Sequence, residues 1–335
     1  MTIFSLRRHA GGLGLSPRRS RPASGGPPPG DTEPPTVPQN LSATAVSSSQ
    51  IDLTWDASTD NVAVTGYNIY RDNVLVDTSA TNSHADTGLA PGTEYEYEVS
   101  AFDAASNESA RSAPDSATTQ QAIVSAGLVA EWRFDAGVGQ VLVDHTGNGH
   151  NGRLGSTTGV DAADPTWTAQ GLSFDGGDFV EHDTVGIAGG AARTVLAVVR
   201  TAATFSLEWP GTGPLFTRWT LRERDGGKVR LEVAGAGHTT GLALPLNAWF
   251  FVGATQATNN FNSCIVYFNG SAEAVPVSAT LTTGGNFSWA RINGATVAMQ
   301  AAYGLVYDRA LSPAEVEQNR QALKTILAPR GITLP

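Results

Sequence analysis

A two-residue alternation constrains this chain more than any other feature of its sequence. In Glu94-Tyr95-Glu96-Tyr97-Glu98-Val99-Ser100-Ala101 every second residue is apolar or aromatic, and each intervening one is acidic or polar. Successive side chains of an extended strand point to opposite faces, so the pattern describes a strand with one face in a core and the other in water. It predicts Tyr95, Tyr97, Val99 and Ala101 inside, with Glu94, Glu96, Glu98 and Ser100 outside. The same period recurs in Ile51-Asp52-Leu53-Thr54-Trp55 and in Leu128-Val129-Ala130-Glu131-Trp132-Arg133-Phe134. Composition agrees, since 37 Gly and 18 Pro suit many short strands joined by tight turns. The expected fold class is all-β. With a single cysteine, Cys264, no internal disulfide can form. Its place in the apolar run Cys264-Ile265-Val266-Tyr267-Phe268 reads as a small buried hydrophobe rather than a reactive thiol.

Three segments follow from the pattern. Residues 1–35 form an Arg/Gly/Pro-rich arm that cannot bury enough apolar surface to offset its ordering entropy, so it is expected to be disordered alone and ordered by a partner. Residues 36–119 carry the first set of alternating strands, including Gly66–Arg71 and Asn73–Val76 separated by a turn at Asp72-Asn73. After a polar linker, residues 123–335 carry about a dozen more. Candidates are Leu172–Phe174, Thr194–Arg200, Val229–Val233, Trp249–Ala254, Ile265–Phe268 and Met299–Tyr307. One helix closes the chain: Ser312-Pro313-Ala314-Glu315 supplies an N-cap, a first-turn proline and a capping-box glutamate. Val316, Leu323, Ile326 and Leu327 form its predicted apolar stripe.

Two resemblances carry the reading further. Pro35-Thr36-Val37-Pro38-Gln39-Asn40-Leu41, Trp55 and Leu89-Ala90-Pro91-Gly92-Thr93-Glu94-Tyr95 resemble the entry strand, core tryptophan and tyrosine corner of fibronectin type III domains. That resemblance implies a seven-stranded sandwich; with no Arg-Gly-Asp triplet, its expected role is that of a spacer. Trp132-Arg133-Phe134-Asp135, Asp144 to Gly152, Gly171-Leu172-Ser173-Phe174-Asp175-Gly176, Trp249 to Val252, Tyr267 to Gly270 and Tyr307 to Ser312 follow one another as in the laminin G-like branch of the concanavalin A-like fold. The second resemblance implies a larger two-sheet jelly roll of the kind found in phage and bacterial surface proteins, a fold that hosts both lectins and glycan-cleaving enzymes.

Charge narrows the partners. The net charge is −10, yet the first thirty residues hold Arg7, Arg8, Arg18, Arg19 and Arg21 and no acid. An acidic body does not suit nucleic acid, and no apolar run approaches the roughly 18 residues of a membrane-spanning helix. The arginines are spaced by small residues and suit carboxylates on a capsid or tail protein. Met1–Leu15 shows no signal-peptide pattern, and Arg7-Arg8 makes only a poor twin-arginine signal.

For chemistry, the nearest carboxylate pair is Glu131 and Asp135, four residues apart with Arg133 between them. It reads as a solvent-facing charge ladder, so no enzyme activity is expected. His145 and His150 flank a glycine-rich turn without a third ligand. Calcium is the one cofactor the residues raise, through Asp144 and Asn148 or through Asp175 and Asp178. Trp132 and Trp249 sit in core-like strands, whereas Trp209, in the segment Glu208–Pro214 read as a loop, leads the candidates for a glycan platform, followed by Trp219 and Trp289. The alternative for these three is to cover the sandwich edge. The sequence therefore points to a non-enzymatic, homo-oligomeric display protein on a virion surface, held by its arm and offering the jelly roll to a host polysaccharide or another appendage protein. The alternatives are a secreted, extracellular bacterial carbohydrate-binding protein and a purely structural spike base.

Overall fold

The computed structural model describes residues 30–155, 159–162, 164–182, 191–202, 205–209, 219–224, 227–233, 236–258, 260–276, 288–289, 291–292, 295–296 and 298–335. The arginines of the arm lie outside the described residues. Among the described residues no helix is long and apolar enough to cross a membrane. The chain forms two compact units.

Seven strands build the first module: β1 (Gln39–Ala45), β2 (Gln50–Asp56), β3 (Val64–Arg71), β4 (Val74–Ser79), β5 (Ser83–Thr87), β6 (Glu94–Asp103) and β7 (Asp115–Thr118). They pair as β1-β2-β5 and β4-β3-β6-β7. The alternation in β2 and β6 places Leu53, Trp55, Tyr97, Val99 and Ala101 in the core with Tyr67 and Ile69 of β3. Trp55 meets Tyr67 edge to face at 5.2 Å. Asp72 and Asn73 both take positive φ, the two-residue turn that matches strand twist.

The alternation in β6 fails at one position. Ser100, expected outside, is buried. The cause is Glu108, whose Oε1 accepts from Ser100 Oγ, from Asn68 Nδ2 at 2.8 Å and from the Tyr70 hydroxyl at 2.8 Å. These bonds lower the Glu108 pKa, the Ser100 hydroxyl most strongly. The outer face of the sheet is thus roofed locally by a returning segment.

The second module starts with β8 (Leu128–Trp132), β9 (Val141–Leu142), β10 (Gly152–Leu154), β11 (Thr166–Thr168), β12 (Gly171–Asp175) and β13 (Val180–His182). Next come β14 (Arg193–Arg200), β15 (Ser206–Trp209), β16 (Trp219–Arg224), β17 (Lys228–Val233), β18 (Ala236–Ala243) and β19 (Trp249–Gln256). It ends with β20 (Cys264–Phe268), β21 (Ser271–Ala274), β22 (Ser288–Trp289), β23 (Arg291–Ile292), β24 (Ala295–Thr296), β25 (Ala298–Tyr307) and the helix α1 (Pro313–Leu327).

Two eight-stranded sheets make the sandwich. One runs β11-β12-β25-β14-β19-β20-β21, with β8 pairing the far half of β25; the other runs β18-β17-β16-β15-β22-β13-β10-β9. The main core lies between them and includes Trp132, Phe174, Val199, Leu207, Leu221, Phe250 and Cys264. Burial pushes the Cys264 thiol up to about 12, which keeps it protonated and inert. At one edge His238 Nε2 meets Glu273 Oε1 at 2.6 Å, tying β18 of one sheet to β21 of the other.

The outer face of the first sheet is apolar where α1 covers it. Leu196, Val198, Trp249, Phe251, Tyr303 and Leu305 pack there with Val316, Leu323 and Leu327 of the helix. Ile326, predicted in that stripe, is exposed; Asn319 is buried instead. Its amide explains the exchange, because Oδ1 accepts from Val124 N at 2.8 Å and Nδ2 donates to the Tyr307 hydroxyl at 3.0 Å. A satisfied polar group can occupy a helix's buried face at little cost.

The capping box forms as expected: Ser312 Oγ accepts from Glu315 N, and Glu315 Oε2 accepts from Ser312 N at 2.8 Å. Arg309 also holds Glu315 at 2.6 Å, and with the Ser312 backbone it lowers that carboxyl to about 2. A depressed folded pKa stabilises the native state above the ordinary value of 4.5, and the contribution is lost as pH falls from there toward about 2. Thermal melts of the second module should therefore drop more steeply between pH 5 and 2 in the wild type than in Glu315→Gln. Parallel pH profiles would disprove this assignment.

Candidate functional site

A row of hydrogen-bonding side chains crosses the first sheet beyond the part that α1 covers. Ser173 of β12 pairs in register with Gln300 of β25, Gln300 with Arg200 of β14, and Arg200 with Trp249 of β19, where the patch under α1 begins. Their chain neighbours Leu172, Phe174, Met299, Ala301, Val199 and Phe250 all point into the core. By pleat alternation, the row lies on the outer face. A register shift between Val198 and Val199, where β25 carries one extra residue, sets this parity.

The row floors a cleft of about 260 Å³ lined by Ser173, Arg200, Thr201, Asn247, Met299 and Gln300 among others. The volume falls just below the ~300–1,000 Å³ typical of drug-sized sites. Asn247 N donates to Thr201 O at 2.7 Å, fixing the two loops at the rim. On the cleft floor Gln300 Oε1 is buried without a hydrogen-bond partner among the described residues, whereas Trp249 Nε1, also unpaired there, lies in the patch under α1 and does not line the cleft. Among the described residues neither Arg200 nor Ser173 has a side-chain partner. Buried polar groups are nearly always paired, so the unmet Gln300 acceptor, flanked by the half-exposed Arg200 and Ser173 side chains, marks a place for a polar ligand.

The residues singled out in the sequence fall elsewhere. Trp209 is not in a loop: it ends β15 opposite Trp219 of β16. Trp289 lies in β22, in register with Val180 and Leu207. The side chains of these tryptophans lie outside the described residues. The proline and glycine after Trp209 suggested a loop, but strand pairing extends up to them.

Asp144, Asp175 and Asp178, raised as calcium candidates, each accept hydrogen bonds from nearby backbone, and Asn148 donates one. Asp144 Oδ1 accepts from Glu131 N and Thr146 N, both at 3.0 Å, and Oδ2 accepts from His150 N at 3.1 Å. Burial alone would raise the Asp144 pKa, but these backbone donors outweigh it and the carboxyl titrates low. Asn148 Nδ2 donates to Val129 O. Asp178 Oδ2 takes Asp175 N at 2.8 Å, and Asp175 Oδ1 takes Gly177 N at 2.8 Å. Burial, with the neighbouring Asp175 and Asp164 charges, raises the Asp178 pKa. These acids pin turns. A third acidic group, Asp31, Asp60 and Asp103 of the first module, brings carboxylate oxygens within 4.8 Å of one another. There too the donors are local: Asn107 N reaches Asp103 at 2.8 Å, and Val62 N and Ala63 N reach Asp60 at 2.9 Å.

Glu131 is not part of a solvent-facing ladder. It is 8% exposed, and its Oε1 accepts from Arg133 Nε at 2.8 Å and from the Tyr303 hydroxyl. The Tyr303 ring on β25, next to β8, covers the position that alternation assigns to water. Trp132 is fully buried and its Nε1 donates to His150 O at 2.8 Å.

Arg200, Gln300 and Ser173 were not singled out by the sequence. A weak signal was present in two of them. Arg200 closes the otherwise apolar run Val195–Val199, and Gln300 is the one amide in the apolar stretch Ala298–Ala302.

Residues 36–118 match the fibronectin type III domain family. Among similar proteins, an alpha-amylase of Niallia circulans is 51% identical over 89 residues, 27% of this chain and 7% of the amylase. Exoglucanase B of Cellulomonas fimi is 50% identical over 90 residues, 27% of this chain and 8% of that protein. Chitinase A1 of Niallia circulans is 44% identical over 108 residues, 32% of this chain and 15% of the chitinase. The matched stretch is thus a small part of each relative. Among solved structures, an Fn3-like protein from Clostridium thermocellum is 31% identical, covering 24% of this chain and 86% of that one at a TM-score of 0.22. Domain 4 of an extracellular arabinanase from Geobacillus stearothermophilus is 14% identical, covering 58% of this chain and 98% of that one at a TM-score of 0.42.

Proposed function

We propose that this chain is a non-catalytic, carbohydrate-associated extracellular protein of bacterial type, in which the fibronectin type III domain is a spacer and the larger sandwich holds a sugar. The observation that carries this reading is the cleft at Ser173, Gln300 and Arg200, with its unpartnered hydrogen-bonding groups on one row. Sugars present dense hydroxyls that both donate and accept, and a row of amide, hydroxyl and guanidinium groups complements them. Support comes also from relatives named as an amylase, an exoglucanase and a chitinase, with which the chain shares a segment the length of its spacer. These relatives favour a carbohydrate-associated protein over virion display. Glycosidases work with two free carboxylates astride the scissile bond, and Glu131 is instead engaged by Tyr303 and Arg133.

Affinity electrophoresis of the full chain through gels containing soluble polysaccharides tests the proposal. Retardation by at least one polysaccharide is expected, with no reducing ends released on prolonged incubation. Free migration in every polysaccharide would sink the binding reading. Release of reducing ends, abolished by Glu131→Gln, would sink the non-catalytic one.

A further inference from the structure

We infer that the cleft selects a sugar carrying a carboxylate, a uronic-acid unit, with Arg200 as the residue that reads the charge; this rests on the carbohydrate reading above. The chain holds 31 acidic and 21 basic residues, so a basic side chain has acids in excess to pair with. Arg111, Arg133, Arg222, Arg230, Arg309 and Arg320 each hold a carboxylate. Arg330 donates to four backbone carbonyls. Arg200 has no such partner among the described residues, and it is half-buried at a cleft rather than free on an open surface. A guanidinium presents a planar fork of donors and no acceptor, and its best complement is the equally planar carboxylate, bound through two parallel hydrogen bonds.

The rest of the row says what must stand beside that carboxylate. Gln300 Oε1 is a buried acceptor without a donor. A carboxylate cannot supply one, because when ionised it only accepts. A hydroxyl can. Gln300 and Arg200 are direct partners across antiparallel strands, so their Cα atoms lie about 4.5–5.5 Å apart. The ligand therefore needs a carboxylate and a hydroxyl within the breadth of one ring, which is the chemistry of a uronic acid. A neutral hexose would leave the guanidinium unmet. A sulfate ester would meet it without matching the fork's plane.

Isothermal titration of the full chain with oligogalacturonate and oligomannuronate, their carboxyl-reduced neutral counterparts and a sulfated neutral oligosaccharide tests this. The wild type should bind one of the two oligouronates about tenfold or more tighter than its reduced form, as expected for a charge-assisted pair. Arg200→Gln should abolish that preference with an unchanged melting temperature, and Arg200→Lys should keep only part of it. Gln300→Ala should weaken acidic and neutral ligands by similar factors, because it loses a hydroxyl contact common to both. Equal wild-type affinity for a uronate and its reduced form, or a preference that survives Arg200→Gln, overturns the inference while leaving carbohydrate binding intact. Sulfated ligand bound as tightly as the uronate overturns the choice of carboxylate. No binding to any of these, together with free migration in every polysaccharide gel, removes the carbohydrate reading itself.

Discussion

Trp55→Ala is expected to remove the first transition from a thermal melt of the full chain. Trp55 is 3% exposed and packs edge to face on Tyr67 at 5.2 Å. Truncating a buried tryptophan costs about 3–5 kcal/mol, because the loss of transferred surface is compounded by the cavity left behind. A small module holds roughly 5–15 kcal/mol in total, and each kcal/mol shifts the midpoint of a domain this size by about 4–8 °C. Trp55→Phe should cost much less, since the indole Nε1 makes no hydrogen bond that a phenyl ring would forfeit. The second transition should stay in place in both variants. If Trp55→Ala and Trp55→Phe melt alike, ring packing is not what holds this module.

Gly171→Ala should damage the second module and its cleft together. A Cβ at Gly171 would stand 2.1 Å from the carbonyl oxygen of Ala301 and 3.2 Å from Ala302 Cα. Both obstacles are backbone of β25, so no side-chain rotation relieves the clash. The two strands must move apart, and overpacking of this kind costs about 1–3 kcal/mol or more. The same movement pulls Ser173 away from Gln300, its partner two residues along the hairpin strand. A fall in the second melting transition should therefore accompany loss of glycan binding. Gly147→Ala is the control: it too has positive φ, but its Cβ would meet nothing within 4 Å. It should cost only the ~1–2 kcal/mol of a left-handed alanine and leave binding unchanged. Equal effects from the two substitutions would show that conformational strain, rather than the approach of β25, sets the cost at Gly171.

How much was legible in the sequence depends on how far apart the determining residues stand. The alternation of β2 and of β6 up to Val99, the Asp72-Asn73 turn and the capping box of α1 were all readable, and the structure contains them. Each is fixed by residues within four positions of one another, through backbone stereochemistry or a local hydrogen bond. The assignments that failed were decided by distant partners. Ser100 is roofed by Glu108, and Glu131 is covered by Tyr303, 172 residues away. Trp209 lies in a strand because Trp219 pairs opposite it.

The cleft belongs wholly to this second kind. Ser173, Arg200 and Gln300 come from three separate strands, and nothing near any of them in the chain names the other two. Alternation tells which residues share a face of one strand, but not which strand lies alongside or in what register. A single extra residue in β25, Ala302, two positions after Gln300, decides the parity of that end of the strand. Local periodicity therefore determined that this chain is a string of half-buried strands with one capped helix. Only sheet pairing, a cooperative choice made by the packed core of the whole sandwich, put an arginine, an amide and a hydroxyl side by side at one cleft.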